Sequence, residues 1–146
     1  MSATPVYGKQ YIRFAETGYV PMNLPLEAFT LVAIAAGAAT EPPTLEVATG
    51  GPGTNTFGVL QQDMPAVDAE RAVTLPRLGT VATSGLLLVK ADAGAIPAQG
   101  ERLETNGSGE AIAEGSGSII YVNGIVPTVR QYVQVGGIDH VLVSFS

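Results

Sequence analysis

VTLPRLGTVATSGLLLVKADAGAIPAQGERLETNGSGEAIA, residues 73–113, is the stretch that decides the fold. Its apolar runs, such as Leu86-Leu87-Leu88-Val89, have only strand length, and the breaks at Thr83-Ser84-Gly85 and Ala93-Gly94 leave no room for a helix of ordinary length. Asn106-Gly107 sits between Arg102-Leu103-Glu104-Thr105 and Glu110-Ala111-Ile112-Ala113. Asn-Gly readily takes the positive φ of a hairpin turn, so the two flanking segments are expected to pair antiparallel. In that register Leu103 and Thr105 face inward and the charges of Arg102 and Glu104 stay in water.

The same texture extends to both sides. Downstream, Gly115-Ser116-Gly117 introduces Ser118-Ile119-Ile120-Tyr121-Val122, and Asn123-Gly124 offers a second tight turn before Ile125-Val126. Residues 131–135 and 138–145 read as two last strands separated by Gly136-Gly137, with Val141, Val143 and Phe145 alternating against His140, Leu142 and Ser144. Upstream, residues 29–35, 44–49 and 56–62 read as strands, with Glu41-Pro42-Pro43 and Gly50-Gly51-Pro52-Gly53 as connections. Many short strands at this spacing predict an all-β domain over 28–146, a compact small barrel or sandwich of antiparallel strands.

Residues 1–27 differ from that body. Four of the nine aromatic residues, Tyr7, Tyr11, Phe14 and Tyr19, fall here, and Pro5, Pro21 and Pro25 exclude a long helix. The segment is expected to be an extended N-terminal arm, alternating as a strand with Tyr7, Lys9, Tyr11 and Arg13 on one side and Gln10, Ile12 and Phe14 on the other. Two destinations are open to it: laid along a partner's edge, with Tyr7, Lys9, Tyr11, Arg13, Phe14 and Tyr19 as the contact residues, or wrapped on its own body to complete the core.

Seven Lys and Arg against thirteen Asp and Glu give a net charge of −6, and all of the excess belongs to the body after residue 27. Phosphate backbones are repelled on average, which argues against nucleic acid as a partner. Charged residues make up only 14% of the chain, below the roughly 25% usual in soluble domains. So few charges cover a lone domain poorly, and part of the surface is expected to be buried against other chains. The longest apolar stretch, residues 29–39, falls short of the ~18 residues of a membrane helix, and it begins too far from Met1 for a secretion leader.

The residues that carry chemistry are sparse. With no Cys, a single His and no G-x-S-x-G, no nucleophile–base set is formed, and Asp139 and His140 as strand neighbours point to opposite faces. The glycine clusters lack the third glycine and the lysine of phosphate loops, and metal-ligand spacings are missing, so no metal or cofactor is implied. Glu104 and Glu110 read as exposed glutamates flanking a turn, and Lys90 as a solvated strand end. An enzyme is not expected.

The order Phe57-Gly58-Val59-Leu60-Gln61-Gln62-Asp63, Glu70-Arg71-Ala72-Val73-Thr74-Leu75, Leu88-Val89-Lys90-Ala91, Ile96-Pro97-Ala98-Gln99-Gly100-Glu101-Arg102-Leu103, Gly107-Ser108-Gly109-Glu110-Ala111 and Val141-Leu142-Val143 resembles tailed-bacteriophage capsid decoration (cement) proteins. The likeness spans residues 56–146 and departs from that pattern at 79–87 and 127–132. The resemblance implies a β-rich, non-enzymatic protein on the outer surface of the virion, assembled in the bacterial cytoplasm. It would bind the major capsid protein, often as a homotrimer, and stabilise the head, with the N-terminal arm engaging capsid subunits. A reading from another class, a carbohydrate- or ligand-binding module of a phage tail or fibre, needs a concave site with exposed aromatics. Only Tyr121 and Tyr132 qualify in the body, because Phe57 and Phe145 fall on core faces.

Overall fold

The computed structural model describes residues 10–21, 24–37, 39–65 and 77–145. Among the described residues there is no helix, and so none that is long and apolar enough to cross a membrane. The strands are β1 (Tyr11–Tyr19), β2 (Leu31–Ile34), β3 (Leu45–Val47), β4 (Thr56–Leu60), β5 (Leu78–Lys90), β6 (Glu104–Thr105), β7 (Ala111–Ile112), β8 (Thr128–Val135) and β9 (Ile138–Ser144). Seven of them form one antiparallel sheet in the order β3-β2-β4-β5-β9-β8, with β1 also on β5, and β6-β7 is a separate pair. The all-β class is therefore as the sequence predicts. The path of strands ends at β3 and β8, which do not pair with each other, so among the described residues the sheet does not close into a barrel.

β5 holds this sheet together, pairing with β1 along 78–86, with β4 at Val81 and Ala82, and with β9 along 86–90. The break expected at Thr83-Ser84-Gly85 does not end a strand. Instead, β5 runs unbroken for 13 residues. The irregularity is absorbed by register shifts on either side of Phe14 in β1, and Gly85 carries it at φ 125, a value only glycine adopts without strain.

Alternation along β5 and β9 splits the core between two faces. Leu87, Val89, Val141, Val143 and Phe145 enter the main cluster with Leu31, Val59, Leu103 and Ile120. Leu88 and Leu142 pack on the other side with Val133. Each fully buried aliphatic chain contributes about 1.5–3 kcal/mol. A further cluster of Val20, Leu26, Val32, Leu45, Leu60 and Val81 ties the chain after β1 to β2, β3 and β4.

The strand expected from residue 29 begins at Leu31, because Phe29 takes a left-handed φ of 68. There its N–H donates to Leu60 O at 2.6 Å and its carbonyl accepts from Lys90 N at 2.9 Å. Residues 118–122 make isolated bridges and no named strand, with Ile119 against Glu104. Asn123-Gly124 does form a tight turn with positive φ at both residues, bridging Val122 to Ile125. The hairpin at Asn106-Gly107 exists, with Glu104 opposite Ile112 and Thr105 opposite Ala111, but its loop covers five residues. Gly107 and Gly109 supply the positive φ values, and Asn106 works through its side chain. Its Oδ1 accepts from Ser108 N at 2.9 Å and Glu110 N at 3.3 Å.

Glu104 is the clearest departure from the sequence reading, since it is 1% exposed where a wet charge was expected. Its carboxylate accepts from Gly115 N at 2.7 Å, Ser116 N at 3.0 Å and Ser116 Oγ at 2.6 Å. Burial alone pushes this carboxyl up, but these bonds and one from Ser118 N–H outweigh it and hold the group below the usual range. The Gly115-Ser116-Gly117 stretch is thus the cradle of an internal anion. Arg102 stays exposed and pairs with Glu114 at 2.7 Å, closing the same loop from outside.

Candidate interaction surface

β1 belongs to the sheet, yet residues 11–17 are all exposed, on both faces of the strand. It is held from one side and at its ends. Along its length it pairs with β5, and among the described residues no other named strand pairs with it. At the start, the side-chain amide of Gln10 donates to Gln61 Oε1 at 3.0 Å and accepts from Leu88 N at 2.8 Å. At the end, Tyr19 N donates to Pro43 O at 2.8 Å and Val20 N to Arg77 O at 2.9 Å.

Two glycines permit this close seating. A Cβ on Gly85 would lie 2.1 Å from Tyr11 O, and one on Gly18 would lie 2.5 Å from Leu45 Cγ. Residues 11–19, expected as part of an arm, are therefore a strand of the chain's own sheet, the second of the two destinations. They add little to the core: Gly18 is the buried position in the strand, and Tyr11 and Phe14 remain 65% and 64% exposed.

Of the six residues singled out in the sequence, Tyr11, Arg13 and Phe14 share this outer strand, and Tyr19 is half-buried at its root. Tyr7 and Lys9 lie outside the described residues, as does the segment Glu70-Arg71-Ala72-Val73-Thr74-Leu75 of the resemblance. The strand divides two clefts. One, of about 490 Å³, has Phe14 and Glu16 on its β1 side and Phe57, Ile125 and Phe145 across from them. The other, of about 560 Å³, has Tyr11 and Arg13 on its β1 side and Arg130 and Gln131 of β8 opposite. Sequence reading missed Ile125 and Arg130, because turn and strand patterns do not say which distant segments share a cleft with β1.

The groups that suggest catalysis point elsewhere. His140 is buried, with Nδ1 2.9 Å from Ile138 O and its ring edge-on to Phe29 at a centroid distance of 5.6 Å. Asp139 faces away from it and accepts from Tyr132 Oη at 2.5 Å, a bond that pushes the phenol up. Lys90, expected as a solvated strand end, is instead paired with Glu27 and lies 3.7 Å from Glu110. The hydrogen bond to Glu27 raises its ammonium above the ordinary value against the opposing effect of burial. Glu104 and Glu110 do not face each other across the hairpin: Glu104 turns into its cradle, and Glu110 accepts from Asn106 Nδ2 at 2.8 Å. Among the described residues no three His, Cys, Asp or Glu side chains are grouped to hold a metal ion.

No protein-family model, curated protein or solved structure matches the chain.

Proposed function

We propose that this is a non-enzymatic capsid decoration protein of the tailed-bacteriophage kind, which binds the outer surface of the head shell and stabilises it by burying surface against the major capsid protein. The observation that carries this reading is β1. A strand exposed on both faces, bearing Tyr11 and Phe14 and flanked by two clefts, is poorly explained by the needs of its own fold. Large rings that contribute little to a core are suited to contribute to an interface, where aromatic side chains carry much of the binding energy.

Composition supports the same conclusion, because a chain with 14% charged residues gains from having surface covered. The resemblance of residues 56–146 to decoration proteins supplies the kind of partner. The reading is tested by mixing purified protein with undecorated, expanded heads of the phage whose genome carries this gene. Saturable co-sedimentation, with density on the outer shell in a reconstruction and increased resistance of the heads to heat, is expected. Heads that bind no protein at saturating concentration would refute it.

A further inference from the structure

Two Asn-Gly pairs stand at turns of this chain, Asn106-Gly107 and Asn123-Gly124, and all four residues are exposed. In such a pair the side-chain amide is open to attack by the next backbone nitrogen, because glycine puts no Cβ in the way. Space does not distinguish the two, since a Cβ added at Gly107 or at Gly124 would meet nothing within 4 Å. The asparagine side chains do.

Asn106 is held from several sides. Its Oδ1 accepts from Ser108 N at 2.9 Å and from Glu110 N at 3.3 Å, while Nδ2 donates to Glu110 Oε1 at 2.8 Å and to Asp92 Oδ2 at 3.3 Å. Its loop is clamped as well, by the β6–β7 pairs that flank it and by Gly109 seated against the start of β2. Turning Cγ of Asn106 toward Gly107 N gives up these bonds, and the two nearby carboxylates disfavour the oxyanion that the attack creates.

Asn123 lacks these restraints. Its backbone N–H donates to Asn55 Oδ1 at 3.0 Å, but its side chain makes no hydrogen bond among the described residues, and neither does Gly124 N. The turn is closed by the backbone bonds between Val122 and Ile125, at 2.9 and 3.0 Å, outside any named strand. A turn held so lightly opens locally at small cost, which releases Asn123 from its left-handed φ of 52 and lets Cγ reach Gly124 N.

We propose that Asn123-Gly124 is a self-modification site, deamidating in the folded protein without an enzyme, and that the fold protects Asn106-Gly107 from the same reaction. Gly124 N gives up its proton to hydroxide and attacks Cγ of Asn123. The N–Cγ bond forms, the Cγ–Nδ2 bond breaks, and Nδ2 leaves as ammonia after taking a proton from water. Water then opens the cyclic imide. Cleavage of the new N–Cγ bond gives aspartate, and cleavage of the original peptide bond gives isoaspartate, whose main chain is one methylene longer. The net change consumes one water, releases one ammonia and alters no oxidation state. Asn123 lines the cleft that Glu16 also lines, so either product adds a carboxylate to that cleft. This assignment does not depend on what the protein binds.

The test incubates the full folded chain in mildly alkaline buffer and follows both sites by peptide mapping in a mass spectrometer, with isoaspartate scored by methyltransferase labelling. Conversion at 123 is expected to run roughly tenfold or more ahead of conversion at 106. In the same buffer with denaturing guanidinium, where the hydrogen bonds of both turns are gone, the two rates should come together. D92A/E110A removes both acceptors of Asn106 Nδ2 and should raise conversion at 106 severalfold while leaving 123 unchanged. The wild-type comparison stands even if that variant does not fold. Equal rates at the two sites of folded wild type would overturn the proposal, as would an Asn123 that stays intact in the folded chain while it converts in the denatured one. So would a ratio that persists in guanidinium, because it would then come from the local sequence and not from the fold. Decoration of heads is not a readout, so failure here and failure of the proposed function are distinguishable.

Discussion

Glu104 shows how a single residue can invert the reading of its segment. Alternation correctly gives Leu103 to the core, but Glu104 beside it is buried as well, because Gly115 and Ser116 wrap over it with N–H and O–H donors. Sequence lists the donors without showing that their loop folds back onto this carboxylate. A buried anion with several charge-assisted bonds is worth keeping only while it is charged. Its folded-state pKa lies below the ordinary value, so its stabilisation is fully present above the usual carboxylate range and is lost as pH falls through the lowered native value. Glu104→Gln keeps the shape but turns an amide toward N–H donors, and is expected to cost about 1.5–3 kcal/mol near neutral pH. Thermal melts of both proteins should converge as the solution is acidified below that range, and a gap that stays constant down to pH ~2 would count against this account. Lys90→Ala, by contrast, removes an ion pair whose Glu27 partner is largely exposed, and should cost under about 1 kcal/mol in a urea melt.

At the scale of elements, turns with strong local chemistry were legible and long-range seating was not. Asn123-Gly124 adopts the positive φ values that its residues favour, and Gly136-Gly137 joins β8 to β9 as expected. The Asn106 loop was legible only as a hairpin. Gly109 is pressed against the start of β2, where a Cβ would meet Leu31 O at 2.8 Å and, just before the strand, Thr30 Cγ2 at 2.4 Å, and that tertiary contact goes with a five-residue loop. The role of Gly85 likewise depends on a contact distant in sequence. Glycine usually punctuates a strand, but here it lets β1 cross close over β5 without ending it. Gly85→Ala must therefore leave φ 125 and move Tyr11 O away, at a cost of roughly 1–3 kcal/mol for the backbone alone. The expected signature is a lower melting temperature together with faster amide exchange in residues 11–19 and much smaller changes in β8 and β9. Uniformly faster exchange would mean that β1 and the rest of the sheet open together.

For the whole molecule, the question is what the outer strand is for, since sequence could place aromatics at 11 and 14 but could not say whether they cover the body or a partner. The pairing with β5 answers half of that: removing residues 2–20 should lower the melting temperature, because the hydrogen bonds between β1 and β5 go with it. Deletion consequently cannot separate folding from attachment, whereas side-chain truncation can. Tyr11→Ser and Phe14→Ser together keep the backbone pairing and remove two rings that are 65% and 64% exposed, so the melting temperature should change little. If those rings are buried against a capsid subunit or a sister copy, each contributes up to about 1.5–3 kcal/mol, and the double variant should bind heads more weakly by orders of magnitude. Many copies acting together can hide such a loss at saturation, so the measurement is the dissociation rate at low occupancy, where avidity between neighbouring copies is smallest. A double variant that folds, binds and dissociates as wild type does would show that β1 serves the fold alone and that attachment lies on another face.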